Sequence, residues 1–283
     1  MTTATHGSSA LAGTRTLFHR IVLTYRHSPA LLLVTLAAPL GMVLLFGFVF
    51  GGALSGGDAA AYRAYLMPGV LVLVAAMGLA TTAATANADL RSGLSDRFRT
   101  LPTAPVSVPA GLALAETATC AVALVPMVGV GYLVGWRVDA GVREITLAIV
   151  LLLLFRFALS WLGIWLGFSI RDEQVLQQCA PMIFGTIMFS NIFVPTETMP
   201  AVIRTIAEWN PVSAVVAALR ELLGGAAPMA ADAAVPIAAD AAVPMAADAA
   251  WPLQYPLLAA FGWCLGIVAV MVPLTVRRYH TTR

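Results

Sequence analysis

Long runs of apolar residues alternate along this chain with short segments that hold nearly all of its charged residues. A run of about 20 apolar residues crosses ~30 Å of hydrocarbon as an α-helix, because an α-helix rises ~1.5 Å per residue. The pattern therefore predicts an all-α polytopic membrane protein with about six transmembrane helices. The predicted spans comprise residues 29–51, 65–88, 107–136, 145–169, 175–195 and 253–275.

The segment before the first span, residues 1–28, has the pattern of an amphipathic helix. Leu17 and Ile21 would lie on one face of this helix, with His19 and Arg26 on the other. We expect an interfacial helix in the membrane surface, either a lever that touches a cytoplasmic partner or a plain anchor. Because no short apolar core with a cleavage site precedes the first span, we expect that span to be an uncleaved anchor in a bacterial plasma (inner) membrane.

The long segment before the last span divides into two unlike parts. Between Pro195 and Gly224 the composition is moderately apolar with proline and glycine breaks, which predicts two short helices in or on the outer leaflet. A helical hairpin that crosses the membrane, giving eight spans, is the alternative. Residues 226–252 repeat with a period of eight that includes proline, and this low-complexity pattern forbids one long helix. A dispensable insertion and a structured recognition element are both compatible with it.

Composition supports the membrane assignment. Only 11% of the residues are charged and 60% are hydrophobic, and the mean hydropathy is +0.87, values that exclude an ordinary soluble domain. All 16 basic side chains are arginines that are scattered among several loops, so we do not expect nucleic acid as a partner.

The distribution of arginine predicts the orientation. In the six-span topology the termini and even-numbered loops hold ten arginines, whereas the opposite loops hold five. By the positive-inside rule both termini, including the tail 276–283, are predicted to be cytoplasmic. The predicted cytoplasmic arginines are Arg15, Arg20, Arg26, Arg91, Arg97, Arg99, Arg171, Arg277, Arg278 and Arg283; those predicted outside are Arg63, Arg137, Arg143, Arg204 and Arg220.

The sequence lacks residues that several kinds of catalytic site require. A phosphate-binding loop requires lysine, and the chain contains none, so it is not predicted to hydrolyse ATP by itself. The motifs of zinc proteases and serine hydrolases are also absent. Cys120, Cys179 and Cys264 lie far apart inside apolar runs, which suggests neither a disulfide framework nor a metal site. We therefore predict no catalytic residue and no metal.

Two ionisable residues fall deep inside predicted spans, Glu116 in the third and Arg156 in the fourth. An intramembrane arginine costs at least ~2.5 kcal/mol on insertion scales, so it requires a partner or a watery cavity. We predict either an ion pair between Glu116 and Arg156 or a role for one of them in lining a substrate path. Spans also contain small-residue pairs such as Gly163 with Gly167 and Gly262 with Gly266, which predict helix packing within the bundle or a dimer seam.

The loop after the second span combines charge with apolar side chains at helical spacing. Such a pattern is typical of a short helix that docks into a groove on another protein, although a solvated loop is the alternative. The residues concerned are Arg91, Leu94, Asp96, Arg97, Phe98 and Arg99. The next predicted cytoplasmic loop contains Arg171, Asp172 and Glu173.

Motifs along nearly the whole chain resemble those of one family. Tyr65-Leu-Met-Pro-Gly69, the loop 89–102, Phe193-Val-Pro195, Glu208-Trp-Asn-Pro-Val212 and Ala218-Leu-Arg-Glu-Leu222 occur in the order seen in membrane subunits of ATP-binding-cassette exporters of the second membrane-domain type. Within that family the chain is most similar to the daunorubicin and doxorubicin resistance permeases. The proline repeat departs from the family pattern.

This resemblance implies partners and a mechanism. It implies two copies of a separate cytoplasmic ATPase that bind ATP and Mg, two copies of the permease in the bilayer, and no cofactor in this chain. It implies that the segment 91–99 is the coupling helix, and that the second and fifth spans line a cavity for large amphipathic drugs, with Met77, Phe189 and Asn191 as candidate lining residues. Export of a lipid or lipid-linked glycan, or a non-transporting scaffold or immunity role, are the alternatives.

Overall fold

The computed structural model describes residues 29–49, 59–92, 106–170, 172–224 and 250–281, and every regular element in these residues is helical. Four predictions fall outside the described residues: the N-terminal interfacial helix, the coupling segment from Leu94 to Arg99, Arg171, and nearly all of the proline repeat.

The helices follow the apolar runs closely. They are α1 (Pro29–Leu44), which continues as a π-helical turn over Leu45–Val49, α2 (Ala59–Arg91), α3 (Ser107–Leu133), α4 (Val142–Ser169), α5 (Glu173–Met188), α6 (Ala201–Glu208), α7 (Pro211–Leu222), α8 (Trp251–Gln254) and α9 (Pro256–Thr281). A short 3₁₀ turn, Thr196–Thr198, precedes α6.

Four of these helices are long and apolar enough to cross a membrane. The qualifying stretches are Tyr62–Arg91, Val108–Leu133, Val142–Ser169 and Pro256–Tyr279, and the shorter Ala37–Val49 is also apolar. Among the described residues the fold is therefore that of a polytopic membrane protein. The expected number of six spans and the cytoplasmic termini stay predictions.

The fifth predicted span, residues 175–195, is helical only as far as Met188. Beyond it the chain makes bends through residues 189–194 before reaching Pro195. At ~1.5 Å per residue, the 16 residues of α5 extend only ~24 Å. At the end of the helix, the side-chain amide of Asn210 donates hydrogen bonds to the carbonyls of Thr186 and Phe189, at 3.1 and 2.7 Å, and so satisfies acceptors that the helix no longer pairs.

Helices α2 and α4 form the centre of the bundle. They pack against each other along most of their lengths, and α3, α7 and α9 surround the pair. A β-carbon added to Gly163 would lie 2.8 Å from the backbone oxygen of Leu79, and one added to Gly167 would collide with the oxygen of Ala83. This G-x-x-x-G pair therefore brings α4 close to α2 within one chain, which confirms the prediction of bundle packing for these two glycines.

The two short helices expected before the last span are present as α6 and α7. Helix α7 does not lie on the surface: Ala214, Val215, Val216 and Ala218 are fully buried, and α7 packs against α2, α4 and α9. Asn210 begins α7 because its side-chain oxygen accepts a hydrogen bond from the backbone N–H of Val212. Helix α6 exposes apolar side chains instead, among them Val202.

Candidate functional site

A buried charge cluster joins α2, α3 and α4. Nη2 of Arg156 donates to Oε2 of Glu116 and to the hydroxyl of Thr82, both at 2.8 Å, so the predicted ion pair is present. Thr82 also donates to the carbonyl oxygen of Gly78 at 2.8 Å. The side chain of Arg156 is 2% exposed and that of Glu116 17%.

Gly78 makes room for this arginine. A β-carbon at that position would lie 2.5 Å from Cζ of Arg156, so the guanidinium group rests directly on the backbone of α2. Nη1 of Arg156 is buried and has no hydrogen-bond partner among the described residues. The charge is thus held by one carboxylate and one hydroxyl in an apolar bundle, where loss of a partner carries a large desolvation cost.

A second polar site surrounds the chain between α5 and α6, residues 189–195, which we call the connector. Because the connector is not helical, its carbonyls need other donors if they are to be buried. The hydroxyl of Tyr62 donates to the Phe193 oxygen at 2.9 Å, and the hydroxyl of Tyr65 donates to the Asn191 oxygen at 3.0 Å. The backbone N–H of Asn191 donates to Oγ of Ser213 at 3.1 Å.

Arg220 of α7 supplies further donors. Its Nη2 donates to the carbonyls of Asn191 and Ile192 at 2.9 and 3.0 Å, and its Nε donates to the Tyr65 carbonyl at 3.1 Å. The guanidinium carbon lies 3.5 Å from the centre of the Tyr65 ring, a cation–π contact. Close approach depends on Gly69, where a β-carbon would lie 3.0 Å from the Ile192 oxygen. Arg220 therefore holds the connector against α2.

These contacts bring motifs that are distant in sequence together in one site around the connector. The second-span motif supplies Tyr65 and Gly69, the connector supplies Phe193, and the segments before the last span supply Asn210 and Arg220. The distribution of arginine placed Arg220 among the outer-loop residues and gave no indication of this role. A signal was present, because Arg220 lies at helical spacing from the apolar residues Val216 and Leu223, both of which are buried.

At the opposite end of the bundle, polar residues join α2 to the start of α5. Arg91 forms a salt bridge with Glu173 at 2.8 Å, and the two side chains are 56% and 59% exposed. Asp172 caps α5 by accepting a hydrogen bond from the backbone N–H of Gln174 at 2.8 Å. Asn87 donates to the carbonyl of Ile170, just after α4. The first residue of the predicted coupling segment is thus tied to the second predicted cytoplasmic loop.

The candidate residues of the substrate path have different surroundings. Phe189 is 49% exposed at the end of α5, and Met77 is partly buried on α2 against the hydrophobic core. Asn191 is buried, and its side-chain oxygen has no partner among the described residues. Arg156 is buried as well. Among the candidate residues of the substrate path, Phe189 has the largest exposed fraction.

Comparison with known proteins assigns the fold to a class. The family model of the ABC-2 type transporter matches residues 13–223, which is more than half of the chain. The chain therefore belongs to the ABC-2 type transporter family, and as a membrane subunit it implies an ATP-binding-cassette ATPase as partner.

One relative is similar along most of its length. The chain is 33% identical over 221 residues to the daunorubicin resistance ABC transporter permease protein DrrB1 of Streptomyces coeruleorubidus, and these residues cover 78% of each chain. The matches confirm the resemblance that the motifs indicated, because the family and this relative are transporter permeases.

Proposed function

We propose that this chain is the permease subunit of an ATP-driven exporter that moves hydrophobic or amphipathic drugs of the anthracycline type out of the cell. The observation that carries the proposal is its 33% identity to a daunorubicin resistance permease over 78% of both chains. The proposed location is the bacterial plasma membrane, with two permease copies and two copies of an ATPase that binds ATP and Mg.

In the proposed mechanism, the ATPase pushes on the segment from Arg91 to Arg99 and on the loop at Asp172 and Glu173. The salt bridge of Arg91 with Glu173 supports this proposal, because it joins both cytoplasmic loops at the point where a partner would bind. ATP binding then tips the spans between two arrangements, so that a cavity between the permeases opens outward.

The proposed cavity is lined by α2 and α5. Helix α5 packs against α2 and exposes much of its surface, including Met182 and, just beyond its end, Phe189. Aromatic and methionine side chains suit a large planar ligand, since both offer polarizable apolar surface. Met77 lies on α2, and partly exposed Glu116 provides a polar group in the same proposed path.

The test is reconstitution of the permease with its candidate ATPase into vesicles, followed by ATP-dependent movement of daunorubicin and, separately, of a fluorescent lipid. We expect Phe189→Ala to raise the half-saturating drug concentration severalfold, whereas Leu258→Ala, at a still more exposed apolar site on α9, leaves it unchanged. A double variant Arg97→Ala/Arg99→Ala should lose ATPase binding. Movement of the lipid but not of the drug would contradict the substrate assignment, and normal ATPase binding by the double variant would contradict the coupling assignment.

A further inference from the structure

Helix α2 contacts the α5 segment at both of its ends. Near its beginning, Tyr65 and Gly69 lie against Asn191 and Ile192 of the connector. At its end, Arg91 forms the salt bridge with Glu173. Tyr65 and Arg91 belong to the same helix of 33 residues, and the 26 residues from one to the other correspond to a rise of ~39 Å. One helix therefore joins Arg91 to the residues that contact the connector.

The two contacts differ greatly in what their separation would cost. The salt bridge at Arg91 is exposed on both sides, and such pairs contribute only ~0–1 kcal/mol. Arg220, in contrast, is buried together with the three carbonyls that it binds. Separation would leave a buried charge and several backbone oxygens without partners in apolar surroundings, which is strongly unfavourable. Separation of the contact at Arg91 therefore costs much less free energy than separation of the connector from α2.

Resting on the function proposed above, we propose that Arg220 is a positioning residue for transport: it fixes the connector to α2, so that the connector, α7 and the outer half of α2 move as one body. The relative movement of α5 and α2 during the cycle then takes place at the end with Arg91 and Glu173. Phe189, which begins the connector, is carried with α2 when the ATPase pushes on the segment after Arg91. Arg220 thereby links ATP use to the position of a residue in the proposed drug path.

Arg220→Lys is the informative variant. Lysine keeps the positive charge but lacks the planar group that reaches the carbonyls of Asn191, Ile192 and Tyr65 and stacks on an aromatic ring. The matched control is Arg204→Lys on α6, because that arginine contacts the carboxylate of Glu208 on its own helix, a partner that lysine can also bind.

Three quantities are measured on the complex of permease and ATPase: ATP hydrolysis, ATP-dependent daunorubicin movement, and labelling of a cysteine introduced by Ser190→Cys. Ser190 is 2% exposed in the connector, and its conversion to cysteine changes little volume. The background lacks Cys120, Cys179 and Cys264. The reagent is a membrane-impermeant maleimide, applied with and without ATP.

With Arg220 intact we expect Ser190→Cys to stay protected in both nucleotide states. Arg220→Lys should expose it to the reagent and reduce drug moved per ATP hydrolysed about tenfold, while ATP hydrolysis stays within about twofold. Arg204→Lys should change none of these. A role in folding alone would instead lower the amount of complex and both activities together. If Arg220→Lys yields no complex, Tyr62→Phe, which removes only the donor to Phe193, should give a smaller loss of the same kind.

Two results would overturn the inference. One is ATP-induced labelling of Ser190→Cys with Arg220 intact, because the connector would then separate from α2. The other is unchanged drug movement per ATP in the folded Arg220→Lys complex. Absence of drug movement by the unmodified complex would contradict the proposed function instead, and the labelling results would still decide whether the connector stays fixed to α2.

Discussion

Removal of the positive charge of Arg156 tests the buried cluster most sharply. Arg156→Met leaves Glu116, whose side chain is 17% exposed, as a largely desolvated carboxylate with the hydroxyl of Thr82 at 3.3 Å as its remaining partner. The loss of one member of a buried pair costs ~3–5 kcal/mol, because the remaining charge keeps its desolvation penalty without compensation. We expect a destabilisation of this size for Arg156→Met in purified permease.

A double-mutant cycle separates the interaction from the volume of the side chain. In Arg156→Met/Glu116→Gln no buried charge remains, so the double variant should be more stable than Arg156→Met alone by ~2 kcal/mol or more. The assay is the apparent Tm of the detergent-solubilised protein for the two single variants and the double variant. Because ~1 kcal/mol changes Tm by about 2–4 °C in a domain of 150–250 residues, the recovery is measurable.

The exposed pair of Arg91 and Glu173 is the matched control in the same chain. Its two neutralising variants, Arg91→Gln and Glu173→Gln, should each change stability by ~0–1 kcal/mol, because solvent compensates the remaining charge. Strictly additive losses for Arg156 and Glu116 would refute the reasoning, since they would mean that the two side chains do not interact.

Further outcomes follow from packing, capping and the proline repeat. Gly163→Val should lower the Tm and the yield, because its side chain would meet the backbone of Leu79, whereas Gly266→Ala, whose added β-carbon would have no contact outside the local helix backbone within 4 Å, should not lower the Tm. Asp172→Ala should cost ~1 kcal/mol of stability by removing the cap of α5, measured by thermal unfolding. Excision of residues 226–249 should leave ATP-dependent drug movement intact, since the family match ends at residue 223; loss of transport with normal ATPase binding would identify the repeat as a functional element.

The membrane helices could be predicted because hydrophobicity alone determines them. The spans predicted at 107–136 and 145–169 correspond to α3 and α4 within three residues at each end. A helix that is apolar on every side is recognised by its hydropathy, so its prediction does not depend on a 3.6-residue periodicity. The Glu116–Arg156 pair could be predicted for a related reason: two opposite charges in neighbouring spans have few other partners.

The connector could not be predicted in the same way. Residues 189–195 are as apolar as a helix end, and hydropathy does not distinguish a helical segment from a non-helical one. The non-helical form is stabilised by donors from Tyr62, Tyr65 and Arg220 that reach its carbonyls, and the first of these is 131 residues away from its acceptor. Interactions at that separation leave no local periodicity. For the same reason, the role of Arg220 could not be inferred from its predicted place in an outer loop.

The central proposal, that a separate ATPase drives drug export through this chain, is tested most directly by the initial rate of daunorubicin movement in vesicles that contain the permease with an active or a hydrolysis-deficient ATPase. The proposal predicts ATP-dependent movement with the active subunit and only passive leakage with the deficient one or with the permease alone. Equal rates in all three preparations would contradict it, because the driving force would then come from elsewhere.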